Sequence, residues 1–411
     1  MCIRDRKNAC AASGTYVNVQ ITTSESYYNN YDPEQGGTAY TTTANGPFVA
    51  KWPGDLGNTF KMSICPADRP SATLTGTVAW AESTAGSNPG RITGTGTLFD
   101  IELRIGDAIS ITGESGYHII TTITSNTVAV AHSTSASDSA AVNAGAAVTR
   151  RKRSAFSTSS TFLKGTVAVA ADAATVTGTG TLFDSQLVVG DTITINGESK
   201  RVKTITSNVA IVTSENFLIT ATAQTYTREW EYKGAFAEGP PTTSAYATDK
   251  QMSLDEIHVA VVDEDGDWSG SIGEVLEAHA NLSVASGAKD TQGEDVFYKN
   301  YVNKTSRYIW WLNHPSIKGF SGAVQDLAGN GTLFTPAATG DATLRGWGAT
   351  ADAGGAQTAD EFANPSQPLT LSLQGGSDGT APSDADLILS LIHISEPTRP
   401  LYISYAVFCL K

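Results

Sequence analysis

Polar and apolar residues alternate strictly along Asp191-Thr-Ile-Thr-Ile-Asn196. A period of two turns one face of a strand to a core and the other to water, so this stretch predicts a half-buried β-strand. Asn196-Gly197 follows at the point where a hairpin has to reverse, and glycine supplies the positive φ that such turns need. Val202-Lys-Thr-Ile205 predicts the returning strand, and Val209-Ala-Ile-Val212 a further short one. The pattern occurs twice. Gly94-Thr-Gly-Thr-Leu-Phe-Asp100 recurs 84 positions later as Gly178-Thr-Gly-Thr-Leu-Phe-Asp184, and Gly106-Asp107 recurs as Gly190-Asp191 in the same register. Ile123-Thr-Ser-Asn126 recurs as Ile205-Thr-Ser-Asn208, and each copy opens on a Gly-Thr-Val, at Gly76 and Gly165. Such an internal repeat organises the reading of the rest of the chain. Each copy predicts a small antiparallel β-module of about five strands, an open barrel or a sandwich. Leu98, Phe99, Leu182 and Phe183 are expected to plug the module cores.

Outside the repeats the pattern changes. Leu254 to Val262 has apolar residues on both faces at its end, as a strand buried on both sides would. Glu274 to Val284 fits neither period clearly and reads as strand or helix. Asp295 to Thr305 places Phe297, Tyr298, Tyr301 and Val302 on one side of a short helix, and Arg307 to Asn313 then predicts a strand. Strand, strand, helix, strand is an α+β order. The chain therefore predicts an α+β multidomain protein. The body comprises residues 7–75 and 229–388, with inserted all-β modules at 76–149 and 165–228 and a Ser/Thr/Ala-rich linker at 150–164.

Composition supports β-structure with many turns: 40% of the 411 residues are hydrophobic and only 17% charged. The net charge is −14. An acidic chain is a poor nucleic-acid binder, because phosphate contacts need clustered lysines and arginines. The one basic cluster, Arg150-Arg151-Lys152-Arg153, falls in the linker, where a solvated role is expected. Cys10 and Cys65 are too few for a disulfide framework. The two ends differ from the middle. Met1–Arg6 reads MCIRDR and Leu389–Lys411 reads LSLIHISEPTRPLYISYAVFCLK, both resembling translated sequencing-adapter read-through. Residues 1–6 and 389–411 are accordingly set aside as artefactual, and the natural protein is expected to continue past Ile388. The alternative is a real apolar strand or anchor, although Leu401–Leu410 is far shorter than the roughly 20 residues of a membrane span.

Candidate chemistry is sparse. The Gly-Thr-Gly-Thr loops lack the lysine and following helix of a phosphate loop, so a tight turn is expected. His118, His132, His258, His279 and His314 are scattered without metal-ligand spacing. Asp263-Glu-Asp-Gly-Asp267 is rich in oxygen ligands, but its glycine is misplaced for a calcium loop, and an acidic hairpin turn is the expectation. Gly113-Glu-Ser-Gly116 and Gly319-Phe-Ser-Gly322 miss the spacing of a nucleophile elbow. No catalytic, cofactor-binding or metal residue is therefore assigned.

Four stretches of the body carry a family resemblance. They are Trp52-Pro-Gly-Asp-Leu-Gly-Asn58, Glu256 to Glu277, Val296 to Trp311 and Ser372 to Asp386. In order and spacing they resemble the tail sheath proteins of contractile-tailed phages, particularly marine myoviruses, and the modules between them look like an insertion on the outer surface of the tail. Similar Gly-Thr-Gly-Thr-Leu-Phe modules occur in other phage structural proteins. The resemblance implies a structural virion subunit that is not an enzyme and needs no cofactor. Such subunits form a helical sleeve around a tail tube and contract. Its partners would be other sheath subunits, the tail tube protein and the baseplate, with no direct nucleic acid and no membrane. It would be assembled in the host cytoplasm. The family's N-terminal arm is not recognisable in Lys7 to Thr42, and the C-terminal region that follows the last stretch in the family is absent. Two other readings remain: an adhesin or receptor-binding β-repeat protein, and a glycosidase working through paired carboxylates, for which Asp263, Asp265 and Asp267 would be the residues to test.

Overall fold

Every residue of the strand Phe60–Pro66 is buried, which marks it as a central strand of the body. The computed structural model describes residues 7–10, 21, 23–31, 46–81, 89–134, 142–151, 154–312, 314, 344–345, 347–348, 361–362, 365 and 367–379. In chain order the body begins with β1 (Asn8–Cys10), α1 (Ser24–Asn30), β2 (Phe48–Pro53) and β3 (Phe60–Pro66). The first repeat follows as β4 (Ala72–Thr73), β5 (Thr77–Ala81), β6 (Gly90–Thr95), α2 (Phe99–Glu102), β7 (Ala108–Ile111), β8 (His118–Ser125), β9 (Val128–Ser133), β10 (Val142–Ala146) and β11 (Val148–Arg150). The second is β12 (Ser157–Thr158), β13 (Thr166–Val169), β14 (Ala173–Thr179), α3 (Phe183–Gln186), β15 (Thr192–Ile195), β16 (Glu198–Ser207), β17 (Ala210–Phe217), β18 (Ala221–Gln224) and β19 (Tyr226–Glu229). The chain returns to the body as α4 (Ala245–Asp249), β20 (Glu256–Asp263), β21 (Glu274–Ser283), α5 (Tyr298–Thr305) and β22 (Ile309–Trp311). It ends in β23 (Leu344–Arg345), β24 (Glu361–Phe362) and β25 (Leu369–Ser372). The fold is α+β and largely β, as the sequence predicts.

Each repeat is a closed barrel rather than an open one. In the first, the strands lie in the order β5-β6-β9-β8-β7, and β10 and β11, separated only by Ala147, pair with β5 and β7 respectively. One bent strand thus joins the two edges. The second repeat does the same with β18 and β19 around Thr225, pairing β13 and β15. The closing strand pairs both edges of the five-stranded sheet in each module, which narrows the usual route to edge-to-edge aggregation. The bend comes from a bulge at one residue of positive φ, Gly145 (φ 105°) in the first copy and Ala223 (φ 52°) in the second. The linker is itself part of this architecture: Ser157–Thr158 pairs with β19 as Ala72–Thr73 pairs with β11.

The predicted hairpin between β15 and β16 turns on Asn196 (φ 47°) and Gly197 (φ 85°), with Ile195 opposite Glu198. Two consecutive positive φ values are those of a type I′ turn, whose twist matches the strands it joins. The Gly-Thr-Gly-Thr loop is closed on itself. Thr181 donates to Asn208 O at 2.6 Å, and Asn208 Oδ1 accepts from Asp184 N at 3.1 Å; Thr97, Asn126 and Asp100 repeat both bonds. A Cβ on Gly178 or Gly94 would overlap the hydroxyl of that threonine, which explains why glycine stands there. Phe99 and Phe183 sit in the barrel cores as expected, but the preceding leucines do not. Leu98 is only half-buried and Leu182 leaves the core for the contact between the barrels. The one-turn helix that begins at each phenylalanine aims that ring inward and the preceding side chain away.

In the body, β21-β20-β3-β25 form a four-stranded antiparallel sheet. Glu274–Ser283, ambiguous by period, is strand because Val259 to Asp263 of β20 pair along it. One sheet face, with Phe60, Met62, Ile64, Val259 and Val261, packs on Tyr298 and Val302 of α5 and on Trp311 of β22. The opposite face, with Cys65, Ala260 and Val262, packs on Phe156, Trp230, Tyr232 and Phe236, the residues that enter and leave the second barrel. The barrels therefore arise between sheet neighbours β3 and β20, and their roots are pinned on the sheet.

His118 is fully buried in the first barrel, edge-on to Trp80 at 4.5 Å, where the second copy carries Lys200. Burial, helped by the charge of Lys164, pushes its pKa down to about 4. The unfolded chain takes up this proton near pH 6.5 and the folded chain only near 4. Stability is thus lost as pH falls from about 6.5 to about 4 and changes no further below, for a total of roughly 3 kcal/mol from this group. Urea denaturation followed between pH 7 and 4 is expected to show a shallower pH dependence in His118→Leu than in the parent.

Candidate functional site at the module junction

The repeated Gly-Asp pairs place one buried aspartate in each barrel, Asp107 and Asp191, both fully or nearly fully inaccessible. Each accepts a local amide across the tight turn: Arg104 N reaches Asp107 and Val188 N reaches Asp191, both at 2.8 Å. Their counter-ions differ. Asp191 takes Arg228 of its own last strand, at 2.7 and 3.1 Å, and Arg228 also donates to Ala155 O at 2.8 Å. In the first barrel the residue at the position of Arg228 is Arg150. It turns instead to Glu361 of the body at 3.5 Å and to the carbonyl of Glu102 at 2.9 Å. Asp107 receives Arg69, at 2.6 Å, from the segment leading out of the body sheet, and Arg69 also grips Glu361 at 3.0 Å. A contact internal to one barrel has become, in the other, a tie between barrel and body. Burial alone would raise the Glu361 carboxyl, but Arg69, Arg150 and Arg104 hold it below the usual carboxylate range.

The barrels meet through Leu182 against Ala108 and Ile119, with Tyr117 and Phe162 in contact at 5.1 Å between ring centres. Lys164 of the second barrel donates to Ser133 O of the first. Beside this seam a cleft of about 340 Å³ opens between both barrels and the body, lined by residues including Asp68, Ser157, Phe162, Ser185, Arg228 and Gln367. Sequence reasoning missed it, because its walls come from segments far apart in the chain.

The other candidates fall elsewhere. His118 is in the first barrel, His132 on its neighbouring strand, His258 stacked on Phe236, His279 beside Glu277 and His314 beside Tyr298. Among the described residues no three histidine, cysteine, aspartate or glutamate side chains are grouped to hold a metal ion. Asp263 closes the β20–β21 turn, accepting from the Thr59 hydroxyl, from the amides of Gly266, Trp268 and Ser269, and from the Ser269 hydroxyl. Burial would raise its carboxyl, yet these bonds bring it below the ordinary range. Gly113 and Gly116, both with positive φ, lie in the loop between β7 and β8. Gly319-Phe-Ser-Gly322, Lys152 and Arg153 lie outside the described residues, as do 1–6 and 389–411. Cys10 and Cys65 are buried free thiols in different clusters. Among the described residues no helix is long and apolar enough to cross a membrane. Comparison of the chain with known protein families, curated proteins and solved structures found no match.

Proposed function

We propose that the chain is a structural subunit of a contractile phage tail sheath, in which copies polymerise as a helical sleeve around the tail tube and contract to drive it through the host envelope. The observation that carries this reading is the meeting of the four sheath-like stretches in one body. Trp52 of the first stretch lies 5.0 Å from Trp268 of the second, and Trp268 lies 5.4 Å from Tyr308 of the third, between ring centres. Asn58 of the first exchanges two hydrogen bonds with Gly376 of the fourth, at 3.0 and 2.8 Å. Segments separated by up to 318 positions thus form a single packed unit, while the barrels are an excursion between two adjacent strands. Such a unit suits a subunit whose work comes from switching between two packings rather than from bond chemistry, and head-to-tail contacts that do not close generate helical tubes. The virion is its place of action under this reading, with sheath neighbours, tail tube and baseplate as partners. Antibodies raised against the barrels are expected to label virions encoded with this gene along the whole tail. Labelling confined to a tail tip would reject the sheath and favour a receptor-binding protein.

A further inference from the structure

The junction cleft has a definite chemistry. Phe162 and Leu163 give it an apolar floor. Gln186 fixes that floor, donating to Phe162 O at 2.9 Å and accepting from Lys164 N at 2.9 Å. The walls present hydroxyls and an amide, chiefly Ser157, Thr158, Ser185 and Gln367, beside the carboxylate of Asp68. Gln367 lines the cleft and donates its Nε2 to Ser185 O at 2.5 Å. Among the described lining residues the one guanidinium, Arg228, is committed to Asp191 and Ala155 O. A phosphate or carboxylate ligand would therefore find its own charge unanswered, with the Asp68 carboxylate in the same wall. A purely apolar ligand would strip water from the hydroxyls and return no hydrogen bonds, at a cost per group comparable to a lost bond. A ring that carries hydroxyls on its edge and C–H groups on its face satisfies both surfaces. The volume lies within the range of small-molecule sites, and junctions between domains are where such sites concentrate.

We propose that the cleft binds a neutral sugar, a single hexose or N-acetylhexosamine unit, with its face on Phe162 and its hydroxyls on Ser157, Ser185 and Gln367. This goes beyond the sheath reading and does not depend on assembly. The test is saturation-transfer NMR on the full chain with glucose, galactose, mannose and N-acetylglucosamine, and with inorganic phosphate by 31P line width. At least one sugar is expected to bind with a Kd between about 10 µM and 10 mM, a range of modest binding free energy, and phosphate is not. Ser157→Trp, which fills the cleft from a partly exposed strand, should abolish the signal. Gln367→Ala, at the rim, should weaken binding about tenfold, the loss of one hydrogen-bond partner, while the chain stays folded with a melting temperature lowered by no more than about 3 °C for the lost bond to Ser185. It decides the matter if the tryptophan variant fails to fold. Absence of binding by every sugar, binding that survives both variants, or preference for phosphate would each overturn the proposal.

Discussion

Arg228→Met is expected to destabilise the second barrel by about 3–5 kcal/mol, the range found when one partner of a buried ion pair is removed. Asp191 would remain, 2% exposed, with only the Val188 amide and its turn to answer its charge. Even in the intact pair, burial outweighs Arg228 and leaves the Asp191 carboxyl above its ordinary value. The pair is therefore not a large net source of stability, and its worth lies in each half cancelling the other. Two further outcomes follow. The deficit of Arg228→Met should shrink at acid pH, because a protonated Asp191 folds without a counter-ion and a raised folded pKa favours stability at low pH. The double variant Asp191→Leu with Arg228→Met should recover most of the loss. Hydrogen exchange of β15 and β19 reads the effect locally. Equal instability of the single and double variants would contradict it.

Phe183→Ala is the second large effect. The ring is fully buried and touches Tyr226 edge-on at 5.7 Å between centres. Removing it leaves a cavity in a small core and is expected to cost about 3–5 kcal/mol. Leu98→Ala, at the equivalent of Leu182 and only half-buried, should cost less than about 1 kcal/mol, near the range of surface changes. Protection of barrel amides against exchange, compared between the two variants, checks the contrast. A Leu98→Ala loss as large as that of Phe183→Ala would mean that both residues plug the core.

That contrast marks where the sequence stops being legible. The strict alternation of Asp191–Asn196 and the Asn-Gly turn express local rules, and both appear in the structure as read. So do the helix at Tyr298–Thr305 and the strand at Ile309–Trp311, each set by a short apolar pattern. The closing strand of each barrel was not legible. Ala221–Glu229 is broken by a bulge with one extra residue, so its residue parity flips midway, and Val142–Arg150 is broken by a longer irregularity before Ala146 that leaves too short a run to show a period. Leu98 and Leu182 stand in identical local sequence and differ in burial, because the second touches a neighbouring barrel and the first does not. The ion cluster joins Arg69 to Glu361 across 292 positions, beyond the reach of any local pattern. One signal did exist: the Gly-Asp pair kept in register in both repeats pointed at Asp107 and Asp191, the two residues around which the counter-ions are rearranged.

Under the proposed sheath reading the body polymerises and the barrels ride on it. Electron microscopy of the purified protein tests it most directly. Helical tubes or stacked rings, with the paired barrels projecting from the outer surface, are the predicted result. Monodisperse monomers across all conditions of salt, pH and concentration would contradict it.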